Sequence, residues 1–385
     1  MSSEVSPVAA AESTPRRPLE DPSSASPVKT SAPPTKKPKT RDTSFPPELK
    51  DVDFSERIVW GKRSPTDTDW IVPDTETPPV FADDSPALCH YVHAVSGRAR
   101  ACTIHLKPQP GQLYPTPVPT PIFMPVGTKG CLKGLEISEL TSDPALACPI
   151  ILGNTYHLTI QPGSELVDEM DGLHAFQGLP KVNNQFSYNI LTDSGGFQMV
   201  SLVKLSKISE EGVSFENPFK QASKKSFTTP SAVESSDDNT DMLLLRPEDS
   251  IRHQNNISAN IIMALDDVVS SVALDDERFT EATYRTLRWY DRCYQAHAKS
   301  STQNLFPIVQ GALDTRLRGL REVCLAGFRH RQETLQYKVP GYAIGGLAGG
   351  EAKDDFWKVV DQCCRALPDD KPRYLMGVGY PLDRK

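Results

Sequence analysis

The run Asp193-Ser194-Gly195-Gly196-Phe197-Gln198 follows directly on the aliphatic stretch Ile190-Leu191-Thr192. A carboxylate placed where a strand gives way to a glycine pair points out of the strand end, and the glycines let main chain approach a ligand closely. Asp266 stands in the same relation to Ala259–Leu265, and Gln310 to Leu305–Val309. Two carboxylates at neighbouring strand ends repel, which raises the pKa of one and leaves a site that can both accept hydrogen bonds and hold a proton. An ionised carboxylate matches a planar, guanine-like ring that offers a ring N–H beside an amino group. The Gln310 amide matches a carbonyl or ring nitrogen, and Phe197 supplies a face for stacking.

Each residue also has a plainer reading. Asp193 ahead of Gly-Gly could cap a following helix, Asp266-Asp267 could form a solvated loop, and Gln310-Gly311 alone says little. The stretch Tyr342–Glu351 is glycine-rich enough to cradle a phosphate, but it has neither the G-x-G-x-x-G order nor the Lys-Ser/Thr pair of a P-loop. Cys89, His90 and His93 look like metal ligands, yet no second cluster completes a tetrahedron.

The elements that must position these groups are short apolar runs alternating with helical stretches. The runs are Ile122–Met124, Pro149–Leu152, Tyr188–Thr192, Ala259–Leu265, Leu305–Val309, Tyr342–Ile344 and Tyr374–Met376. Between them, Thr280–Ala298 places Leu287, Tyr290 and Tyr294 on one face, and Lys353–Leu367 carries the stripe Phe356, Val360, Cys363, Leu367. Strands separated by helices predict a parallel sheet covered on both sides. Polar or glycine residues recur after successive runs: Gly153-Asn154, Asp193–Gly196, Asp266-Asp267, Gln310-Gly311, Gly345-Gly346 and Gly377–Gly379. A doubly wound sheet gathers its ligand groups at one switch point, whereas a closed barrel gathers them from nearly every strand end, so a (β/α)8 TIM barrel is expected. Seven runs are present where a barrel needs eight.

Composition says which part folds. The 34 prolines are concentrated towards the N-terminus, together with Ser, Thr, Lys and Glu. Residues 1–45 are expected to be a disordered tail and 46–88 an irregular extension in which Trp60, Trp70 and Phe81 pin parts of the chain. The barrel is expected over 89–385, with a Ser/Thr/Lys/Asp-rich insertion at 218–242 that reads as a surface loop. No apolar stretch is long enough to span a membrane, and neither a secretory h-region nor a transit-peptide bias is evident, which points to the cytoplasm. The basic run Lys36–Arg41 is a weak nuclear-signal-like feature. Eight cysteines with no C-x-x-C pair read as reduced thiols buried in the core, Cys363 and Cys364 among them. A net charge of −7 argues weakly against a nucleic-acid partner, since phosphate neutralisation needs clustered Lys and Arg, although net charge is a poor guide to a local patch.

Taken together the motifs are specific. Phe123–Thr128, Leu152–Leu158, Leu191–Gln198, Leu265–Asp267, Val309–Gly311, Ala343–Leu347 and Arg373–Gly379 occur in an order that resembles the queuine tRNA-ribosyltransferases, the tRNA-guanine transglycosylases. The Asp-Ser-Gly-Gly-Phe-Gln signature resembles the catalytic rather than the accessory eukaryotic subunit. The resemblance implies exchange of guanine for queuine at the wobble position of tRNAs with a GUN anticodon, without ATP. It implies that Asp193 is the proton acceptor and binds the base, and that Ser194, Gly195, Gly196, Phe197, Asp266, Gln310 and Gly346 line the queuine pocket. It further implies that Gly377, Val378, Gly379, Tyr380, Pro381, Leu382 and Asp383 contact RNA. The chemistry would resemble a retaining glycosidase, with a carboxylate attacking C1′ of the ribose. The accessory subunit is the expected heterodimer partner, in the cytoplasm and in some cases at the mitochondrial outer surface.

The family's attacking aspartate lies a little beyond the position of Asp383, at the end of the eighth strand, followed by the cysteines and histidine that bind a structural zinc. The sequence ends at Lys385. The expectation is a barrel of the transglycosylase type lacking its eighth strand and zinc-binding C-terminal region, with no metal ligands in this chain, two unpaired sheet edges and little or no turnover. Ala312 stands where the family usually has glycine. A C-terminally shortened form of an active enzyme is favoured, because the family pattern persists through Asp383. The alternative is a noncatalytic queuine- or partner-binding protein derived from the same fold.

Overall fold

The computed structural model describes residues 79, 81, 83–97, 99–112, 115–136, 139, 148–178, 188–196, 206–216, 242–271, 273, 276–319 and 323–379. The tail at 1–45, Lys36–Arg41 within it, Trp60, Trp70 and the insertion up to residue 241 lie outside these.

The first element was not anticipated. β1 (Leu88–Ser96) and β2 (Ala99–Leu106) pair antiparallel, and β3 (Val118–Thr120) adds to β2. In β2 every second residue, Cys102, Ile104 and Leu106, is buried, the two-residue period of a strand with one covered face.

The candidate strands then follow in order. They are β4 (Ile150–Gly153), followed by α1 (Thr155–Ile160), α2 (Ser164–Glu169) and α3 (Leu173–Phe176), and β5 (Asn189–Thr192). A second antiparallel sheet, also unanticipated, comprises β6 (Ser206–Ile208), β7 (Val213–Glu216) and β8 (Met242–Leu245). Met242, placed at the end of the insertion, therefore opens a strand. After α4 (Pro247–Ile257) come β9 (Ile261–Met263), α5 (Asp276–Ala296), β10 (Asn304–Phe306) and β11 (Ile308–Val309). The last are α6 (Thr315–Arg318), α7 (Cys324–Glu333), β12 (Tyr342–Ile344), α8 (Lys353–Ala366) and β13 (Arg373–Leu375).

β4, β5, β9 and β10 are parallel neighbours in sequence order, as are β11, β12 and β13. The expected single run Leu305–Val309 divides at Pro307, which has no N–H to continue a ladder. Its carbonyl accepts from Ala343 N at 2.9 Å, so the wall passes through the proline from one partner to the next. At the other end the strand expected at Ile122–Met124 is displaced: Val126 makes a parallel bridge with Leu152, with Leu152 N donating to Pro125 O at 2.9 Å and Gly127 N to Leu152 O at 2.8 Å. Pro121 and Pro125 allow no earlier ladder. The result is an α/β fold of the TIM-barrel type; among the described residues the strands do not close into a complete barrel.

Two cores result from alternation along the parallel strands. Ile151, Ile190, Ile262, Leu305 and Tyr342 face outward against helix residues such as Leu158, Ile251, Leu287, Tyr290 and Phe328, each large side chain contributing about 1.5–3 kcal/mol by burial. Ile150, Leu191, Ile261, Met263, Phe306 and Ile308 face inward and meet Leu88, Ile104, Leu106 and Val118 of the antiparallel sheet. Asparagines at the strand starts tie that sheet in place: Asn260 Nδ2 donates to Lys107 O at 3.1 Å and Asn304 Nδ2 to Ala87 O at 3.1 Å, while Asn189 Oδ1 accepts from Gln112 at 3.1 Å. The amino ends are thus stoppered, and the carboxyl ends form the mouth. In α8 the buried face is Phe356, Val359, Cys363 and Ala366; Val360 is only half-buried, one position off the expected stripe.

Candidate functional site

Asp193 lies just past β5, 7% exposed. Its Oδ1 accepts from Thr155 N at 2.9 Å and from Gly195 N at 3.2 Å, its Oδ2 accepts from the Asn154 amide, and its own carbonyl accepts from Thr155 Oγ1 at 2.5 Å. Asn154 provides no side-chain cap to α1. The carboxylate of the neighbouring strand end does so instead, so the capping alternative holds in part, on a different helix from the one expected. Gly195 has φ +82°, a left-handed conformation that turns the chain sharply enough to aim its N–H at Asp193.

Asp266, beyond β9 and 5% exposed, accepts from Ser194 Oγ at 3.2 Å and from Gln310 Nε2 at 2.5 Å. The ends of β5, β9 and β11 are thereby joined in one polar cluster. Burial raises the Asp266 pKa to about 6, against the lowering effect of its Gln310 and Ser194 hydrogen bonds, with a further upward push from Asp267. A raised carboxylate was expected, but its origin is desolvation and the adjacent residue, where repulsion from Asp193 had been invoked. Asp267 points the other way. Fully buried, it receives Arg278 Nη1 at 2.7 Å and Arg285 Nη1 at 2.6 Å, both from α5. The solvated-loop alternative is excluded for both aspartates.

Gly346 completes the cluster. It has φ +64°, and a Cβ there would stand 2.1 Å from Gln310 Oε1. Glu351 turns back on the same loop, accepting from Ala348 N at 2.5 Å and Gly349 N at 2.8 Å. A carboxylate already fills those N–H groups, which removes the phosphate-cradle reading of this stretch. Gly377, at φ +81°, and Gly379 are exposed beyond β13, with Val378 between them. Phe197 and Tyr380, Pro381, Leu382 and Asp383 lie outside the described residues.

Several residues in this machinery carried no role in the sequence reading. Asn154 and Thr155 belong to a motif that was noted, and only their contact with Asp193 gives them a purpose. Glu351 and Arg318 had no signal beyond residue type. Tyr374 on β13 is another: burial, and secondarily the Asp193 carboxylate, push its phenol up. Elsewhere, His90 Nδ1 lies 2.9 Å from Asp370 O and His93 Nε2 2.7 Å from Thr103 Oγ1. Among the described residues no group of three or more His, Cys, Asp or Glu is placed to hold a metal ion. None of the eight cysteines is in a disulfide; Cys102, Cys293, Cys324 and Cys363 are buried as expected, whereas Cys89, Cys148 and Cys364 are half-buried and Cys131 is exposed. Among the described residues no helix is long and apolar enough to cross a membrane.

An α/β fold of the TIM-barrel type with an acidic, amide-lined cluster at the carboxyl ends of its parallel strands defines the class. The family model of queuine tRNA-ribosyltransferases matches residues 95–238 and 223–383. The chain is 47% identical over 303 residues to the queuine tRNA-ribosyltransferase catalytic subunit of Schizosaccharomyces pombe, which covers 79% of this chain and 64% of that one. It is 42% identical over 292 residues to the catalytic subunit of Caenorhabditis elegans, covering 76% and 61% respectively. With the queuine tRNA-ribosyltransferase of Fusobacterium nucleatum it shares 38% identity over 268 residues, 69% of this chain and 61% of the other. The chain belongs to the queuine tRNA-ribosyltransferase family. It spans 61–64% of the length of these relatives.

Proposed function

We propose that this chain reads the purine base in a tRNA-guanine transglycosylase reaction, in which guanine at the wobble position of GUN-anticodon tRNA is exchanged for queuine. One observation carries the reading: Asp193, Ser194, Asp266 and Gln310, from three separate strand ends, converge at one buried site. A purine edge presents N–H donors beside a carbonyl. Asp193 is the acceptor for the donors, and Gln310 supplies an amide N–H for the carbonyl. Asp266, with its raised pKa, is placed to hold or release a proton as the base arrives or departs. The parallel strands are an arc of a (β/α)8 barrel, with the ligand at the mouth.

Attack on C1′ of the ribose falls to neither aspartate. Asp193 is engaged by Asn154, Thr155 and Gly195, and Asp266 by Ser194 and Gln310, an arrangement suited to holding a base edge-on. The exposed Gly377–Gly379 loop beyond β13 supports an RNA contact along 377–383. The likeness to catalytic subunits supports a heterodimer with the accessory subunit. Equilibrium retention of labelled guanine by the chain, with displacement by queuine, tests the base reading. Failure to retain either base would sink it.

A further inference from the structure

Arg318, the last residue of α6, is fully buried. Its guanidinium donates to four main-chain carbonyls: Nε to Ala312 O at 2.5 Å, Nη1 to Val309 O at 3.1 Å, and Nη2 to Gly345 O at 2.6 Å and Gly346 O at 3.2 Å. Gln310 lies between Val309 and Ala312 in the chain, and Gly345-Gly346 follows β12 directly. One side chain therefore ties together the two strand ends that bear Gln310 and Gly346.

The packing at this junction is close. A Cβ at Gly346 would lie 2.1 Å from Gln310 Oε1 and 3.2 Å from Arg318 Nη2, so amide, guanidinium and glycine backbone meet at one point. A Cβ at Gly311 would lie 2.8 Å from Arg318 Cγ. Burying a guanidinium against neutral acceptors is costly, and a methionine would fill the same volume without that cost. A methionine could not bind the carbonyls, however, and a lysine, with one nitrogen, could not span four acceptors on two loops.

We propose that Arg318 is a positioning residue for the base site: it sets the gap between the Gln310 side chain and the Gly345-Gly346 main chain, and so determines how Gln310 meets the carbonyl edge of the base. The inference rests on the base reading above. It predicts a selective defect, because Gln310 reads the carbonyl while Asp193 reads the ring N–H and the 2-amino group.

The test measures equilibrium affinities of the 385-residue chain and its Arg318→Lys and Arg318→Met variants for guanine, 2,6-diaminopurine and hypoxanthine, with a thermal melt alongside. The preference for guanine over 2,6-diaminopurine, which has an amino group in place of the carbonyl, is expected to fall about tenfold in both variants. The preference for guanine over hypoxanthine, which lacks only the 2-amino group, is expected to stay unchanged. Folded variants that weaken all three bases alike overturn the positioning role while leaving the base reading intact. A wild-type chain that binds none of the three overturns the base reading and this inference with it. Should the variants not fold, hydrogen exchange of the wild-type chain with and without guanine decides. Protection is expected at 310–314 and 345–350 together, and protection of one loop alone overturns the proposal.

Discussion

Gln310 Nε2 sits 2.5 Å from Asp266 Oδ2, while Asp267, the next residue, turns into the helix layer to meet Arg278 and Arg285. Consecutive carboxylates on opposite sides of one strand end divide the work: one faces the site, and the other anchors the strand to α5.

The Asp266 pKa of about 6 has a consequence for stability. The folded value is raised above the unfolded one, so between about pH 4 and 6 the native state holds a proton that the unfolded chain has lost. Stability therefore falls as pH rises through that window, by on the order of 3 kcal/mol in total. Asp266→Asn should flatten this slope in urea unfolding measured from pH 4 to 7; an unchanged slope would assign the effect to another group.

Asp193→Asn keeps an oxygen for the Thr155 and Gly195 N–H groups but turns a second acceptor into a donor. Guanine affinity should drop about a hundredfold through loss of charge-assisted hydrogen bonds, with a smaller loss of unfolding free energy, about 1 kcal/mol, because the new amide N–H faces the Asn154 amide. Equal losses of both would mean that Asp193 is structural.

Asp267→Ala should act on the fold. It leaves Arg278 and Arg285 without the carboxylate between them, and removing one partner of a buried ion pair costs about 3 kcal/mol. A denaturation midpoint close to wild type would show that the arginines find other acceptors, Glu210 among them for Arg285.

Gly346→Ala forces a methyl group onto Gln310 Oε1 at a backbone position of positive φ. The strain should cost about 1 kcal/mol of stability. Guanine affinity should fall more than that cost accounts for, since Gln310 must move. Titration of the variant with guanine separates the two effects.

Ala312 has φ +46°, unusual for a residue with a Cβ. Relief of left-handed strain, partly offset by the greater chain entropy of glycine, should make Ala312→Gly more stable by up to about 1 kcal/mol. A lowered melting temperature would contradict this.

Much of the framework was legible in the order of residues. Aliphatic runs of strand length, interrupted by amphipathic helices, determine a parallel sheet because each run is too short and too apolar to do anything but pair and be covered. The polar groups at the ends of those runs, Asp193, Asp266 and Gln310, were visible for the same reason: a strand end is marked locally, by the change from aliphatic residues to glycine and carboxylate. Tertiary structure alone decided what those groups touch. Asn154 reaches Asp193 across 39 positions, Asp266 meets Gln310 across 44, and Arg318 joins the ends of β11 and β12. It also decided that the antiparallel sheet covers the amino ends of the parallel strands, and that the Asp266 pKa is raised by burial. Hydrogen-bond partners and desolvation belong to the packed state, because separation along the chain does not specify distance in space.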